Sequence, residues 1–434
     1  MLDIKFIREN TKKVKDSIKK RGGSFDIDSL LKLDEKKRKV QTELESISAK
    51  KNKASKEINK DNKKKIIAEM KKIDKKGDVL KKELKKLEDE LKELLYKIPN
   101  ILANDVPVGK DESENKVFKK VGKPTKFDFE PKDHVELGEK LGVIDIKTAA
   151  KVSGARFNYL KGELALLEFA LIKYTMDVLT DTKIISDLAK SAGVSDKTFI
   201  PVVPPVMIKP EVYRKMARLS NEDEDEKYYL AKDDVYLIGS AEHTLGPLHM
   251  DEIIPEKELP IRYVGFSTAF RREAGSYGKD IKGILRVHQF DKIEMESFTL
   301  GENSLKEQEF IVALQEYLVN SLAIPYQVVK ICTGDMGNPD ARQIDIECWM
   351  PGQNKYRETH TSDLMTDYQA RRLNTRVRRK DGLEFIHMND ATAFAIGRIT
   401  IAIMENYQQK DGSIKIPEVL HKYTGFKEIN GRKD

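Results

Sequence analysis

From Leu33 the apolar positions of the chain step as Val40, Leu44, Ile47, Ala54 and Ile58, with lysines at the intervening seam positions 37 and 51. After a turn-like polar cluster at 59–62 comes a cleaner series: Ile66, Met70, Ile73, Gly77, Leu80, Leu84, Leu87, Leu91, Leu94 and Ile98. Steps that alternate between four and three form a heptad repeat, the spacing that keeps one stripe of a helix against a partner. Two such helices in succession predict an antiparallel coiled-coil hairpin. Arms of about 33 residues would reach on the order of 50 Å. The outward positions at 71, 72, 75, 76, 81, 82, 85 and 86 are all lysine. An arm like this buries no globular core; it holds something at a distance.

Pro99 and the polar stretch at 104–115 end the arm and read as a linker. Beyond about Val117 the pattern becomes mixed. Short β-like runs are expected at 199–207, 235–238, 262–269, 327–331 and 342–349, and amphipathic helices at 162–179 and 304–322. The order does not alternate regularly between strand and helix, which argues for an α+β fold and against a doubly wound parallel sheet. The expected organisation is an N-terminal hairpin arm over 1–103 and a second domain over 104–434, with 104–116 as linker.

Within that second domain, 268–296 is the most informative stretch. It reads as two strands joined by a long loop containing glycine and lysine. In its second run Ile284, Arg286, His288, Phe290, Lys292 and Glu294 share one face, and Leu285, Val287, Ile293 and Met295 share the other. A strand that buries one face and loads the other with arginine, an aromatic ring and a carboxylate is building a site. Phe290 and Glu294 would lie roughly 13 Å apart along that face. Such spacing suits a flat ring at one end of a ligand and an ammonium at the other, with anionic groups between for Arg271 or Arg286. An aminoacyl-adenylate has that layout.

Charge adds a second clue. The formal net charge is +7, but residues 1–100 hold 31 lysines and arginines against 19 acidic residues, and the remainder 48 against 53. The positive excess belongs to the hairpin, which points to a polyanionic partner there. Two cysteines, Cys332 and Cys348, make no CxxC pair and no disulfide framework, as in a reduced cytoplasmic protein. No run of about 18 apolar residues is present to span a membrane. None of the seven histidines falls in an HExxH or a Cys/His quartet, so structural zinc is not expected. No GxxxxGK[ST] occurs, so any bound ATP is held by something other than a P-loop. Arginines on a sheet are the alternative anion holder, because a guanidinium is a fixed fork that stays charged.

The segments FRREAGSYG and LRVHQFDKIE resemble motif 2 of a class II aminoacyl-tRNA synthetase, in the wording of the seryl-tRNA synthetases. The lysine-rich hairpin is similar to the one with which that family reaches the long variable arm of its tRNA. The resemblance implies a class II catalytic domain with a mostly antiparallel sheet flanked by helices, a homodimer, ATP and Mg²⁺ as cofactors, and L-serine and tRNA(Ser) as substrates. It implies that Arg271, Arg272 and Glu273 meet ATP, that Val287 and Phe290 line the adenine, and that Glu294 receives serine. In LIGSAEH, Ser240, Ala241 and Glu242 stand where the family carries Thr-x-Glu at the amino acid. In 345–372, Glu358 and Thr361 are implied as metal and ATP contacts, with Thr359 and His360 beside them; Glu347 is a further oxygen donor of the kind Mg²⁺ takes. Motif 3, 387–408, places Thr392 near the amino acid and Arg398 on the γ-phosphate. Pro204-Pro205-Val206-Met207 resembles the end of motif 1.

Two stretches depart from the family pattern. Where seryl enzymes carry Glu-x-Ser-Ser-Cys-Ser-Asn-Cys, this chain reads Glu358 to Met365 as ETHTSDLM, and a glycine-rich stretch before Ser240 is replaced by one containing SNEDEDEKYY. The competing readings are another amino-acid specificity, a non-catalytic relative that binds tRNA or an amino acid, and a coiled-coil scaffold.

Overall fold

The computed structural model describes residues 1–56, 63–220, 224–273 and 283–430. The expected turn at 59–62, the seam residue Ile58, the side chain of Ile66 and most of the motif 2 loop (274–282) lie outside the described residues. The chain divides into two compact units, Met1–Ile101 and Leu102–Asp434.

The first unit opens with two short helices that the heptad pattern did not reveal, α1 (Ile4–Glu9) and α2 (Thr11–Lys20), before α3 (Ile27–Lys56) and α4 (Lys63–Lys97). Asp3 caps α1, its side chain accepting from the Lys5 backbone N–H at 2.6 Å. Arg8 then reaches the buried Asp34 of α3 at 3.2 Å. Antiparallel pairing of α3 and α4 follows from the cross-links Lys36–Glu83 (3.1 Å) and Lys76–Glu43 (2.5 Å). Val40, Ile47, Leu80 and Leu87 form the buried seam. Lys37 and Lys51, the two lysines at seam positions, turn out to Glu88 and Asp74. One position differs from the strict repeat: at the base of α4, Leu95 is buried and Leu94 only partly so. A helix of 3.6 residues per turn drifts off a seven-residue spacing unless it supercoils.

The second unit is built on an eight-stranded sheet. Its strands are β1 (Lys116–Val121), β2 (Ile200–Val202), β3 (Ile261–Phe270), β4 (Gln289–Thr299), β5 (Tyr326–Lys330), β6 (Arg342–Met350), β7 (Lys355–Thr366) and β8 (His387–Ala395). They run in the order β1-β5-β6-β7-β8-β4-β3-β2. Every neighbouring pair is antiparallel except β2 with β3. Helices α5 (Glu163–Thr180), α6 (Thr182–Ala192), α7 (Ser304–Ser321) and α8 (Ile396–Tyr407) complete the layer arrangement, with α5, α7 and α8 packed on the sheet. This is the expected α+β fold with a mostly antiparallel sheet. The polar stretch after the hairpin is tied to this unit: Ala103 N–H donates to Ala341 O at 2.8 Å, and Asp105 meets Lys330 and Arg342.

Alternation along the strands separates core from chemistry. On β6, Ile344, Ile346, Cys348 and Met350 enter the core while Gln343, Asp345 and Glu347 face a cavity. On β4, Ile293 and Met295 enter the core and Lys292 lies on the cleft. Arg262 of β3 is clamped by Glu307 of α7, Nη2 to Oε2 at 2.8 Å, with both side chains fully buried.

Two expected strands are corrected. The second strand of the 268–296 hairpin starts at Gln289 rather than Ile284, because the backbone before it bonds outside the sheet. Ile284 N–H donates to His134 Nε2 (3.3 Å) and His288 N–H to Arg156 O (3.0 Å). The run 199–207 splits into β2 and a separate two-residue strand, Met207–Ile208; Pro204 and Pro205 between them cannot donate to a ladder.

Removing one partner of a buried ion pair leaves a bare charge, which typically costs about 3–5 kcal/mol. Arg262→Ala is expected to lower unfolding free energy by that order in urea titration, whereas Lys39→Ala on the hairpin surface should change it little.

Candidate active site

A cleft of about 250 Å³ opens on the charged face of the sheet where β4, β7, β8 and the start of α8 converge. One wall carries Arg271, the first residue past β3. Its Nε donates to Gly239 O at 3.1 Å, its backbone N–H to His288 O at 3.0 Å, and its guanidinium lies 5.3 Å from the centre of the Phe290 ring. Stacking and two hydrogen bonds fix an arginine whose remaining donors face the cleft. Val287, nearly buried, and Phe290 line the same wall. His288 is part of that wall, with Nδ1 3.0 Å from Arg271 O and its ring against Phe157. Glu273 sits in left-handed backbone, φ 50°, and its carboxylate meets Arg286 at 3.5 Å.

The opposite rim carries Arg398, the third residue of α8. It pairs with Glu358 of β7, Nη1 to Oε1 at 3.0 Å, and donates to Glu358 O at 3.1 Å. The surroundings work against ionisation of Glu358, but Arg398 prevails and holds its carboxyl below the usual range. Thr361, next but two along β7, accepts from Gln343 at 3.2 Å. Asp345 is the register partner of Thr361, and burial followed by the nearby Glu358 pushes its carboxyl far up. Glu347 lies outside the cleft, in an adjoining cavity that Glu358, Asp345 and Arg398 also line, where it accepts from Gln327 at 2.6 Å. Glu358, Thr361 and Asp345 make an all-oxygen donor set of the kind a hard cation takes.

At the inner end, Glu294 and Thr392 are directly paired across β4 and β8. Thr392 lines the cleft, while Glu294 sits just behind it: Ser240 Oγ donates to its Oε1 at 2.6 Å and the Lys292 ammonium rests on it. Burial, opposed by Lys292, leaves the Glu294 carboxyl raised. Glu242 also lines this end. Burial would raise its carboxyl, but Arg218, 2.8 Å away, holds it well below the usual range.

The structure thus brings Arg271, Glu273, Val287, Phe290, Glu358, Thr359, Thr361, Glu242, Thr392 and Arg398 to one cleft. It does not bring the rest there. Arg272 turns outward onto the Tyr228 ring at 5.8 Å. The His360 ring is fully buried against Phe394 at 5.3 Å, and burial pushes its pKa down to about 3. Thr359 reaches the cleft wall although its hydroxyl is turned to His360 Nδ1 at 2.8 Å. Ala241 is buried, and Ser240 acts behind the cleft, donating to Glu294 and accepting from Lys292 at 3.3 Å. The strand expected at 235–238 runs Val235–Leu237, and Glu242 begins a helical turn, Glu242–Leu245; it reaches the cleft from that turn.

Sequence reasoning missed Arg218, Asp340 and Asp363 as cleft residues, and Asp390, buried beside them. The signal available was departure from the family pattern at 358–365 and before Ser240. Asp363 lies inside the first of these, and Arg218 at the edge of the second.

Comparison with known proteins agrees with this geometry. Residues 1–102 match the family description of the seryl-tRNA synthetase N-terminal domain, and residues 225–407 that of the tRNA synthetase class II core domain (G, H, P, S and T). The chain is 40% identical to the serine–tRNA ligase of Thermodesulfovibrio yellowstonii, over 98% of this chain and 99% of that one. It is 42% identical to that of Dictyoglomus turgidum over the full length of both. The seryl-tRNA synthetase of Pyrococcus horikoshii, solved in complex with ATP, superposes with a TM-score of 0.88 at 40% identity, covering all of both chains. A prolyl-tRNA synthetase of Giardia lamblia shares the fold alone, at 12% identity and TM-score 0.51 over 66% of this chain and 54% of that one.

His243 gives a pH test of the inner end. Its Nδ1 accepts from Gly239 N–H at 3.1 Å, and burial, opposed by Glu242, brings its pKa from 6.5 to about 4. Between those values the unfolded chain binds a proton that the folded chain does not, so stability falls as pH drops from 6.5 towards 4. Urea titrations should show that loss, and His243→Gln should lack part of it. A ring already protonated at pH 6 by ¹⁵N NMR contradicts the assignment.

Proposed function

We propose that this chain, which belongs to the seryl-tRNA synthetase family, activates L-serine with ATP and transfers it to the 3′ end of tRNA(Ser). The observation that carries the reading is a single cleft with a stacked guanidinium and an aromatic ring along one wall and carboxylates at its inner end. Phe290 and Val287 take the adenine. Arg271 takes the α-phosphate, and Arg398 the outer phosphates once they displace its partner Glu358. Glu242 receives the serine ammonium and Thr392 bounds the side chain. Glu294 sets the inner end: a carboxylate that already accepts the Lys292 ammonium and the Ser240 hydroxyl is suited to a ligand bearing both groups.

The serine carboxylate attacks the α-phosphorus in line, the bond to the bridging oxygen of pyrophosphate breaks, and seryl-adenylate forms. No general base is needed, since the attacking carboxylate is already ionised at neutral pH. Arg271 answers the charge that develops on the phosphorus oxygens, so catalysis rests on positioning and electrostatics. In the second step the terminal ribose hydroxyl of the tRNA attacks the acyl carbon and gives up its proton to solvent, and AMP leaves with the electron pair of its acyl–oxygen bond. Mg²⁺ is the cofactor this reading calls for: Glu358 and Thr361, with Asp345 beside them, would hold it, and when bound it neutralises phosphate charge. The 1–103 arm carries the tRNA's variable region on its exposed lysines, and 104–434 carries the chemistry.

We further infer a homodimer. Phe169 and Val203 are 67% and 85% exposed, large apolar groups on α5 and just past β2, which pack together. Exposed apolar surface of this kind marks an interface. A cytoplasmic setting suits Cys332 and Cys348, which are buried and unbridged; among the described residues no helix is long and apolar enough to cross a membrane.

Arg271→Ala is expected to cut serine-dependent pyrophosphate exchange by about 10²–10³-fold, the usual cost of losing a preorganised charge at a reacting centre. Exchange unchanged by that variant contradicts the assignment, and exchange absent with serine in the parent contradicts the function. Reversing Lys71, Lys72 and Lys75 to glutamate should weaken tRNA charging and flatten its salt dependence while exchange stays intact; steady-state aminoacylation at two salt concentrations checks this.

A further inference from the structure

Three carboxylates stand side by side across the charged face of the sheet. Glu296 of β4 is the register partner of Asp390 of β8, and Asp390 is the partner of Asp363 of β7. All three are at least nine-tenths buried. Like charges directly opposite on neighbouring strands repel, and in a buried setting the repulsion is hardly screened. Burial, with Asp390 next, pushes the Glu296 carboxyl well above its usual range, and neither of its oxygens finds a hydrogen-bond partner among the described residues. The cation that answers this row comes from outside the sheet.

It is Arg218. Its backbone is held just past the helix Pro210–Lys215, between Tyr213 and Leu219 of a small apolar cluster. Its Nη2 lies 3.1 Å from Asp390 and 3.6 Å from Asp363, its Nη1 3.8 Å from Asp340, and its Nε 2.8 Å from Glu242. One guanidinium therefore joins two strands, the loop before β6 and the turn that carries Glu242. A planar fork can serve several carboxylates in fixed directions at once, which an ammonium on a flexible stem cannot. Gly337 leaves room for the arrangement: a methyl group there would come within 2.4 Å of an Asp340 oxygen.

Arg218, Asp340 and Asp363 line the cleft together with Glu242, and Glu242 is the carboxylate read above as the acceptor of the serine ammonium. We propose that Arg218 is a positioning residue for the amino-acid end of the cleft: by anchoring its fork on Asp390, Asp363 and Asp340, it fixes the Glu242 carboxylate in place for the ammonium of the substrate. The proposal rests on the serine-activating reading given above. Arg218 and Asp363 meet on the cleft wall, Nη2 to Oδ2 at 3.6 Å.

Pyrophosphate exchange with serine and with ATP varied separately tests it. Arg218→Met should raise the KM for serine by roughly 30-fold or more, the usual consequence of removing one member of a buried charged set. The KM for ATP should stay within about twofold, because Arg271 and Phe290 are untouched. Arg218→Lys, which keeps charge and loses the fork, should fall between the two. If Arg218→Met folds poorly, the Arg218→Met/Asp363→Asn double variant removes the excess negative charge; it should recover the unfolding midpoint but not the serine KM. Serine KM at the parental value in Arg218→Lys and the double variant, or equal rises for serine and ATP, overturns the proposal and leaves Arg218 a purely structural residue. Absence of serine-dependent exchange in the parent would instead refute the functional reading on which the proposal stands.

Discussion

The cleft depends on charge compensation on one face of an antiparallel sheet. Lys292, Glu294 and Glu296 of β4, Asp390 of β8 and Asp363 of β7 are all buried, and a charge removed from water is tolerated only beside a partner. Lys292 answers Glu294 within β4, and Arg218, from a turn after a short helix, answers Asp390 and Asp363; Arg398, from the first turn of α8, pairs with Glu358, and Arg271, at the end of β3, is held by Gly239 O and the Phe290 ring. Arg218 thus serves the buried carboxylates themselves. Two of these cations, Arg271 and Arg398, line the cleft with donors to spare for a ligand.

Antiparallel pairing makes this possible. The strict period of two puts Ile293, Met295, Ile344, Ile346, Ala391 and Ala393 into the core and their neighbours into the site. A bulge between Ile293 and Glu294 shifts the register once, directly opposite Thr392. Separate faces let the apolar residues hold the fold while the polar ones recognise the ligand. The hairpin works on a different principle. Its narrow seam leaves most of each helix in solvent, and basic residues outnumber acidic ones there, 31 to 19 over residues 1–100.

Much of this was legible in the sequence. The heptad spacing gave the hairpin because period alone specifies a coiled coil, and the alternation at Phe290, Lys292 and Glu294 gave the ligand face. Motif wording supplied Arg271, Glu358, Thr392 and Arg398, all of which reach the cleft. Residues whose role depends on where a non-sheet segment lands were illegible. Arg218 lies in no periodic pattern, and its partners are distant in sequence. Strand reasoning also failed at 284–288, and it said nothing of the turn that carries Glu242. There the backbone is satisfied by His134 and Arg156, or turns into a helix, and alternation carries no information about such segments. The resemblance also placed Arg272 and His360 at the ligand, but Arg272 lies on the Tyr228 ring and His360 is buried against Phe394.

The central claim is that one cleft holds an entire aminoacyl-adenylate along this face. A crystal structure of the chain with a non-hydrolysable seryl-adenylate analogue measures that directly. The account predicts the adenine against Phe290, the phosphate mimic hydrogen-bonded to Arg271, and the ammonium within hydrogen-bond distance of Glu242. An analogue bound elsewhere, or bound with its ammonium at the Arg398 end, would contradict it.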